Sequence, residues 1–113
     1  MKLRVTAAAL VFTFSGIVPA GAGPMRGVNG HTASGSATIK AGQVELGPDF
    51  RFDGGPDVYV AVKAGGKVQL LGKLRANTGA QSYALPAGGG AEADEILLFC
   101  KQFNVTLGKA AIN

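Results

Sequence analysis

Short apolar segments separated by glycines set the rhythm of this chain, and within each segment the apolar residues recur at every second position. In Val58-Tyr59-Val60-Ala61-Val62-Lys63 the valines fall on one side of an extended backbone, and Gly65-Gly66 follows as a turn signal. Val68 to Lys73 supplies the second arm of that hairpin. Thr32 to Lys40 and Gln43 to Leu46 flank Ala41-Gly42 in the same way, and Phe50 with Phe52 keeps the period of two. After Gly79, Gln81 to Leu85 reads as a short strand stopped by Pro86, and Gly88-Gly89-Gly90 opens a loop too rich in glycine for a helix to cross cheaply. Glu95 to Phe103 and Asn104 to Lys109 complete the set. Ile96 to Cys100 is apolar at every position, so both of its faces need cover, which predicts the central strand of a sheet. No segment sustains a helical period, although Ala91 to Leu98 could begin with one helical turn. The spacing of about seven or eight short strands predicts an all-β fold, a small antiparallel β-sandwich or barrel.

The beginning of the chain follows a different pattern. Lys2 and Arg4 precede an apolar run from Ala7 to Val18, and Pro19 with Ala20-Gly21-Ala22 closes it, which is the three-part layout of a secretory signal peptide over residues 1–22. The run is about 12 residues long, whereas a membrane-crossing helix needs about 20 apolar residues. A cleaved leader is therefore expected, with the cut before Gly23. No cysteine lies near that point to carry a lipid. The Ala- and Gly-rich leader looks bacterial, so the expected destination is secreted or periplasmic.

Residues 23–113 are enough for one domain and too few for two. The whole chain has a formal charge of +4, and without Lys2 and Arg4 nine basic residues face seven acids, so the released domain carries about +2. The basic residues Lys40, Arg51, Lys63, Lys73 and Lys101 are spread singly, which does not make the basic patch that nucleic acid requires. After the leader no apolar segment approaches spanning length, so no integral membrane segment is expected in the mature chain.

Cys100 is the only cysteine. In an oxidising compartment it cannot close a disulfide within its own chain, so it stays reduced, pairs with another molecule, or is oxidised through sulfenic acid. The competing reading is a buried cysteine that packs as a small hydrophobe among Leu98 and Phe99. A thiol attacks only as its thiolate, and Lys101, one residue on along a strand, would point to the opposite face and so does not activate it by position alone. His31 is the only histidine, which leaves a cysteine–histidine pair conditional on their distance and gives too few histidines for a blue-copper site within one molecule. Asp57, after Gly55-Pro56 at the entry to a strand, is expected to satisfy turn backbone groups. Asn77, Gly79, Gln81 and Tyr83 are expected to brace a turn, with lining a small site as the alternative. Asn104-Val105-Thr106 matches a glycosylation acceptor, which matters only in a eukaryotic secretory route. Paired carboxylates, a phosphate-cradling loop and a multi-cysteine zinc spacing are all missing from the sequence, so hydrolase and nucleotide chemistry have no support in it, and an independent enzyme is the weakest reading.

Four segments together resemble one family. They are His31-Thr32-Ala33-Ser34-Gly35; Gly55-Pro56-Asp57-Val58-Tyr59-Val60; Leu71-Gly72-Lys73-Leu74 with Asn77-Thr78-Gly79-Ala80-Gln81-Ser82-Tyr83-Ala84-Leu85-Pro86; and Phe99-Cys100-Lys101-Gln102-Phe103-Asn104-Val105. In order and spacing they resemble the DM-thirteen domain, the small extracellular module of Skeletor-type proteins regarded as an electron-transfer domain. Phe99 and Gln102 stand where that family commonly has Trp and Arg. The resemblance implies that Cys100 is the redox residue, as a bare thiol or as ligand to a prosthetic group. Non-covalent haem, held by Cys100, His31 or Met25, is open on that footing, although no C-x-x-C-H attachment sequence exists and the sequence requires no cofactor. The implied partner is another exported or membrane-associated redox protein. The other class of function is a non-catalytic extracellular or periplasmic protein-binding module in which Cys100 is a packed core residue.

Overall fold

The computed structural model describes residues 21–86 and 93–112. Of the leader expected over residues 1–22, all but Gly21 and Ala22 lies outside the described residues, as do the glycine-rich loop at 87–92, including the first residues of the possible helical turn, and residue 113.

Every element described is a β-strand, and there are eleven. They are β1 (Gly21–Pro24), β2 (Arg26–Gly27), β3 (Ala33–Ser34), β4 (Ser36–Lys40), β5 (Gln43–Leu46), β6 (Arg51–Phe52), β7 (Val58–Ala64), β8 (Lys67–Lys73), β9 (Gln81–Ala84), β10 (Glu95–Cys100) and β11 (Val105–Ala111). All pairings are antiparallel. One sheet has four strands in the order β1-β4-β5-β9, a second has five in the order β2-β11-β10-β7-β8, and β3 with β6 makes a two-stranded ladder. The count exceeds the seven or eight expected because long alternating runs are interrupted. Gly35, at φ +98°, breaks the run from Thr32 to Lys40 into β3 and β4. β10 ends at Cys100, and residues 101–104 form a turn where a continuing strand was expected.

The two hairpins marked by glycine form where expected. Ala41 and Gly42 both have positive φ, at 51° and 78°, as do Gly65 and Gly66, at 57° and 83°. This is the backbone that matches the twist of two-residue hairpins.

The four- and five-stranded sheets bury one face each against a common core. Ile39, Val44, Leu46 and Tyr83 come from the smaller sheet, and Val58, Val60, Val62, Ile96, Leu98, Cys100, Leu107 and Ala110 come from the larger. Each fully buried large side chain here stabilises the fold by about 1.5–3 kcal/mol relative to exposure. Along one edge the chain itself passes between the sheets. β1 pairs in the first sheet, Met25 is buried with its N–H donated to the Gly35 carbonyl at 2.7 Å, and β2 pairs in the second. The fold is thus a β-sandwich with one corner made by a strand that changes sheets.

β10 is the central strand of its sheet, flanked by β11 and β7. Its alternation is plain in the register: Ile96, Leu98 and Cys100 enter the core, while Glu95, Leu97 and Phe99 lie on the outer face.

Candidate functional site

Cys100 is the last residue of β10. In register it stands between Val58 of β7 and Val105 of β11, and it is 1% exposed. Immediately after it the sheet gives way to an exposed turn. The Lys101 N–H donates to the Asp57 carbonyl at 3.1 Å, and the Asn104 N–H donates to the Lys101 carbonyl at 3.3 Å. Asn104, at φ 54°, takes the left-handed conformation that lets the chain reverse into β11. A buried sulfur is therefore only one residue from solvent-exposed backbone.

Lys101 leaves the strand and lies over the Tyr59 ring, its Nζ 5.6 Å from the ring centroid, while Lys73 Nζ sits 6.0 Å from the same ring. Neither ammonium faces the core side, where the sulfur is.

Asp57 adopts φ 52°, a conformation Asp tolerates better than most residues. Its carbonyl ties down Lys101, and its Oδ1 lies 3.6 Å from Lys73 Nζ. The carboxylate thus serves an ion pair, and the backbone carbonyl makes the turn contact that the sequence suggested for the side chain.

His31 does not join Cys100. Its Nδ1 is 3.0 Å from Asp53 Oδ1, and its ring stacks on Phe52 with centroids 5.9 Å apart. The backbone reinforces the pair, because the Asp53 N–H donates to the Thr32 carbonyl at 3.1 Å. Gly55 explains how these pieces fit. A side chain there would meet Leu107 Cδ1 at 2.8 Å and both His31 Cε1 and Val58 Cγ2 at 3.5 Å. Val58 is also the register partner of Cys100, while the contacts of the imidazole itself are with Asp53 and Phe52. Sequence reasoning missed Asp53. Its only local signal is its place between Phe52 and Gly54-Gly55, and its partner is 22 residues away.

Asn77, Gly79, Gln81 and Tyr83 brace the segment between β8 and β9. The Asn77 carbonyl accepts from the Phe52 N–H at 2.8 Å, and the Gly79 N–H donates to the Phe50 carbonyl at 3.0 Å. Gln81 Nε2 donates to the Ala76 carbonyl at 2.9 Å. The Tyr83 hydroxyl donates to Gln81 Oε1 and accepts from the Arg75 N–H, and the Arg75 guanidinium lies 4.3 Å from the Tyr83 ring centroid and donates to the Ser82 carbonyl. All of these bonds hold the turn together.

A porphyrin-sized group does not fit the proposed ligands. Cys100 and Met25 are buried at 1% and 3% exposure, and His31 is engaged by Asp53. The three described clefts, of about 420, 290 and 360 Å³, are lined by none of these residues. Among the described residues no cluster of His, Cys, Asp or Glu is arranged to hold a metal ion.

The profile of the family described as electron transfer DM13 matches residues 27–112. The chain belongs to this family. The match begins at the end of β2 and runs through β11, so it takes in both sheets and the Cys100 turn. No curated protein and no solved structure gives a significant match. Membership in the DM13 electron-transfer family gives the domain a redox-related role. It places no particular chemistry on a residue, which has to be argued from the site.

Proposed function

We propose that this DM13 domain is an exported redox accessory protein that exchanges electrons through the thiol of Cys100. The observation that carries the reading is the position of the single cysteine, buried but at the terminal residue of β10 and directly beside the exposed turn at 101–104. A thiol so placed is protected in the closed state, and loosening one turn, with the sandwich intact, exposes it. The chemistry that needs no group beyond the thiol is exchange with a partner's disulfide. Cys100 loses its proton to solvent and its thiolate attacks one sulfur of that disulfide. A new sulfur–sulfur bond forms as the partner's bond breaks, and the partner's second sulfur leaves as a thiolate. Cys100 is oxidised into the mixed disulfide and the leaving sulfur of the partner is reduced, and a second thiol supplied by another molecule completes the reduction by releasing Cys100 or the partner. Export is supported by Lys2, Arg4 and the apolar run from Ala7 to Val18, which would direct the domain to a secreted or periplasmic space where disulfide-bearing partners occur.

The test is intact mass and an absorption spectrum of the mature protein recovered from its native compartment, followed by incubation with oxidised glutathione. The reading expects a mixed disulfide on Cys100, reversible by reductant, absent from Cys100→Ser, and no visible absorption band. A thiol that remains unmodified after native incubation lasting many hours, while reacting fully in denaturant, overturns it.

One observation favours a second reading. At 1% exposure Cys100 also meets the description of a packed core residue, and a domain that only binds another protein would keep it for that reason. In that case Cys100→Ser lowers stability and leaves partner binding intact.

A further inference from the structure

The two outer faces of the sandwich differ in kind. On the four-stranded sheet the outward register row is Thr38, Glu45 and Ser82, a polar surface. On the five-stranded sheet the outward rows are apolar at the centre. Ala61, Leu70 and Leu97 make one row and Tyr59 with Phe99 the next. Ala61 and Leu97 are 0% and 2% exposed although they face away from the core. Leu97 lies in a cleft of about 290 Å³ walled by Lys63, Lys109 and Val68, so lysine stems cover part of the apolar surface and carry their charges to its rim. Val68, at 41%, and Phe103, at 64% in the turn after Lys101, are the exposed large hydrophobics.

Charge completes the contrast. Lys73 and Lys109 are paired with Asp57 and Glu95, at 3.6 and 3.7 Å. Lys63, Lys101 and Arg26, the register partner of Lys109, enter no ion pair among the described residues. The face therefore presents the half-buried Tyr59 and Phe99 over a buried layer of Ala61 and Leu97, with an uncompensated charge of about +3 around them, the pattern of a recognition surface with a polar margin.

We infer that the outer face of the five-stranded sheet, centred on Tyr59 and Phe99 and edged by Arg26, Lys63 and Lys101, docks an acidic patch on a partner protein. That the partner is a redox protein rests on the reading given under the proposed function. Charge complementarity selects the occupant. A second copy of this face would bring like charges together, and an anionic membrane is held by clusters of about 4–8 basic residues, more than this face leaves unpaired. The location also serves the thiol. Phe99 and Cys100 are successive residues of β10 pointing to opposite faces, so a partner seated on Phe99 is separated from the sulfur by that ring and one layer of sheet backbone. It also contacts the Lys101 turn whose opening exposes Cys100.

The experiment is amide chemical-shift mapping of the mature domain at low salt with three probes: an acidic plant-type [2Fe–2S] ferredoxin, a basic cytochrome c and phosphatidylglycerol vesicles. The inference expects ferredoxin to shift the amides of Tyr59, Lys63, Leu97, Phe99 and Lys101 and to lose affinity as salt rises. The double variant Lys63→Glu and Lys101→Glu should weaken that binding at least about tenfold, while Lys40→Glu on the opposite sheet leaves it unchanged. Cytochrome c should bind the unaltered domain more weakly than ferredoxin. Cys100→Ser should dock normally, which separates failure of this inference from failure of the thiol chemistry. No shifts with ferredoxin, shifts on the four-stranded sheet, equal weakening by Lys40→Glu, or the same amides responding to vesicles and not to ferredoxin would each overturn it.

Discussion

At Cys100 the physical demands of packing and of chemistry meet in one atom. The thiol fills core space between Val58 and Val105, so Cys100→Ala should leave a small cavity and cost roughly 1–3 kcal/mol in urea unfolding, with the fold retained. Asp49 makes a different kind of contribution. Its carboxylate accepts from both the backbone N–H and the hydroxyl of Ser36, each at 3.0 Å, and the backbone bond first and the hydroxyl second hold its pKa below the ordinary 3.8. A lowered carboxylate stabilises the folded chain above its unfolded pKa, and that stabilisation is lost as pH falls through the lowered folded value. The melting temperature of Asp49→Asn should accordingly lie below that of the parent near pH 6 and converge with it as pH drops well below 3.8. A gap that persists unchanged to the lowest pH would assign the effect to something other than the carboxylate charge. Residue-scale chemistry was only partly legible in the sequence. Cys100 stood out by being alone, whereas the His31–Asp53 pair joins positions 22 residues apart with no local signal.

Elements were legible where their punctuation was strong. Ala41-Gly42 and Gly65-Gly66 carry the positive φ angles that two-residue hairpins need, so both hairpins could be read directly. The uninterrupted apolar run Ile96 to Cys100 marked the central strand because a strand between two neighbours and under lysine stems has no solvent face to keep polar. The strand break at Gly35 was hidden inside an alternating run, since a single glycine does not disturb the period of two. Its structural need is specific: φ is +98°, and an added Cβ would lie 2.5 Å from the Asp49 carbonyl oxygen. Gly35→Ala should cost more than about 2 kcal/mol, read as a lowered urea midpoint. The end of β10 was misjudged because the 101–104 turn contains no Gly or Pro and relies on Asn104 for its left-handed residue. β1 was masked by the leader pattern. A cut before Gly23 would remove Gly21 and Ala22, the partners of Ile39 and Thr38, and leave Gly23 and Pro24 to pair with Ala37 and Ser36. If the chain is exported as proposed, its mature form should begin at Gly23 by intact mass, with β4 still covered by a shortened edge strand.

At the scale of the whole molecule, burial and hydrogen bonding are unevenly distributed. The core rows from both sheets are buried, whereas the Lys101–Asn104 turn is exposed and held to the neighbouring loop by the Asp57–Lys101 hydrogen bond, so the turn is expected to open at lower free energy than the core. Redox activity through a buried thiol demands that Cys100 be released by opening of the turn and never require global unfolding. The rate of Cys100 alkylation by iodoacetamide under native conditions, measured by intact mass across low urea concentrations, tests this most directly. Local opening exposes little surface, so the rate should rise only weakly with urea and exceed the global unfolding rate measured on the same protein. A rate that equals global unfolding and climbs with its full urea dependence would contradict the account and leave Cys100 a packing residue.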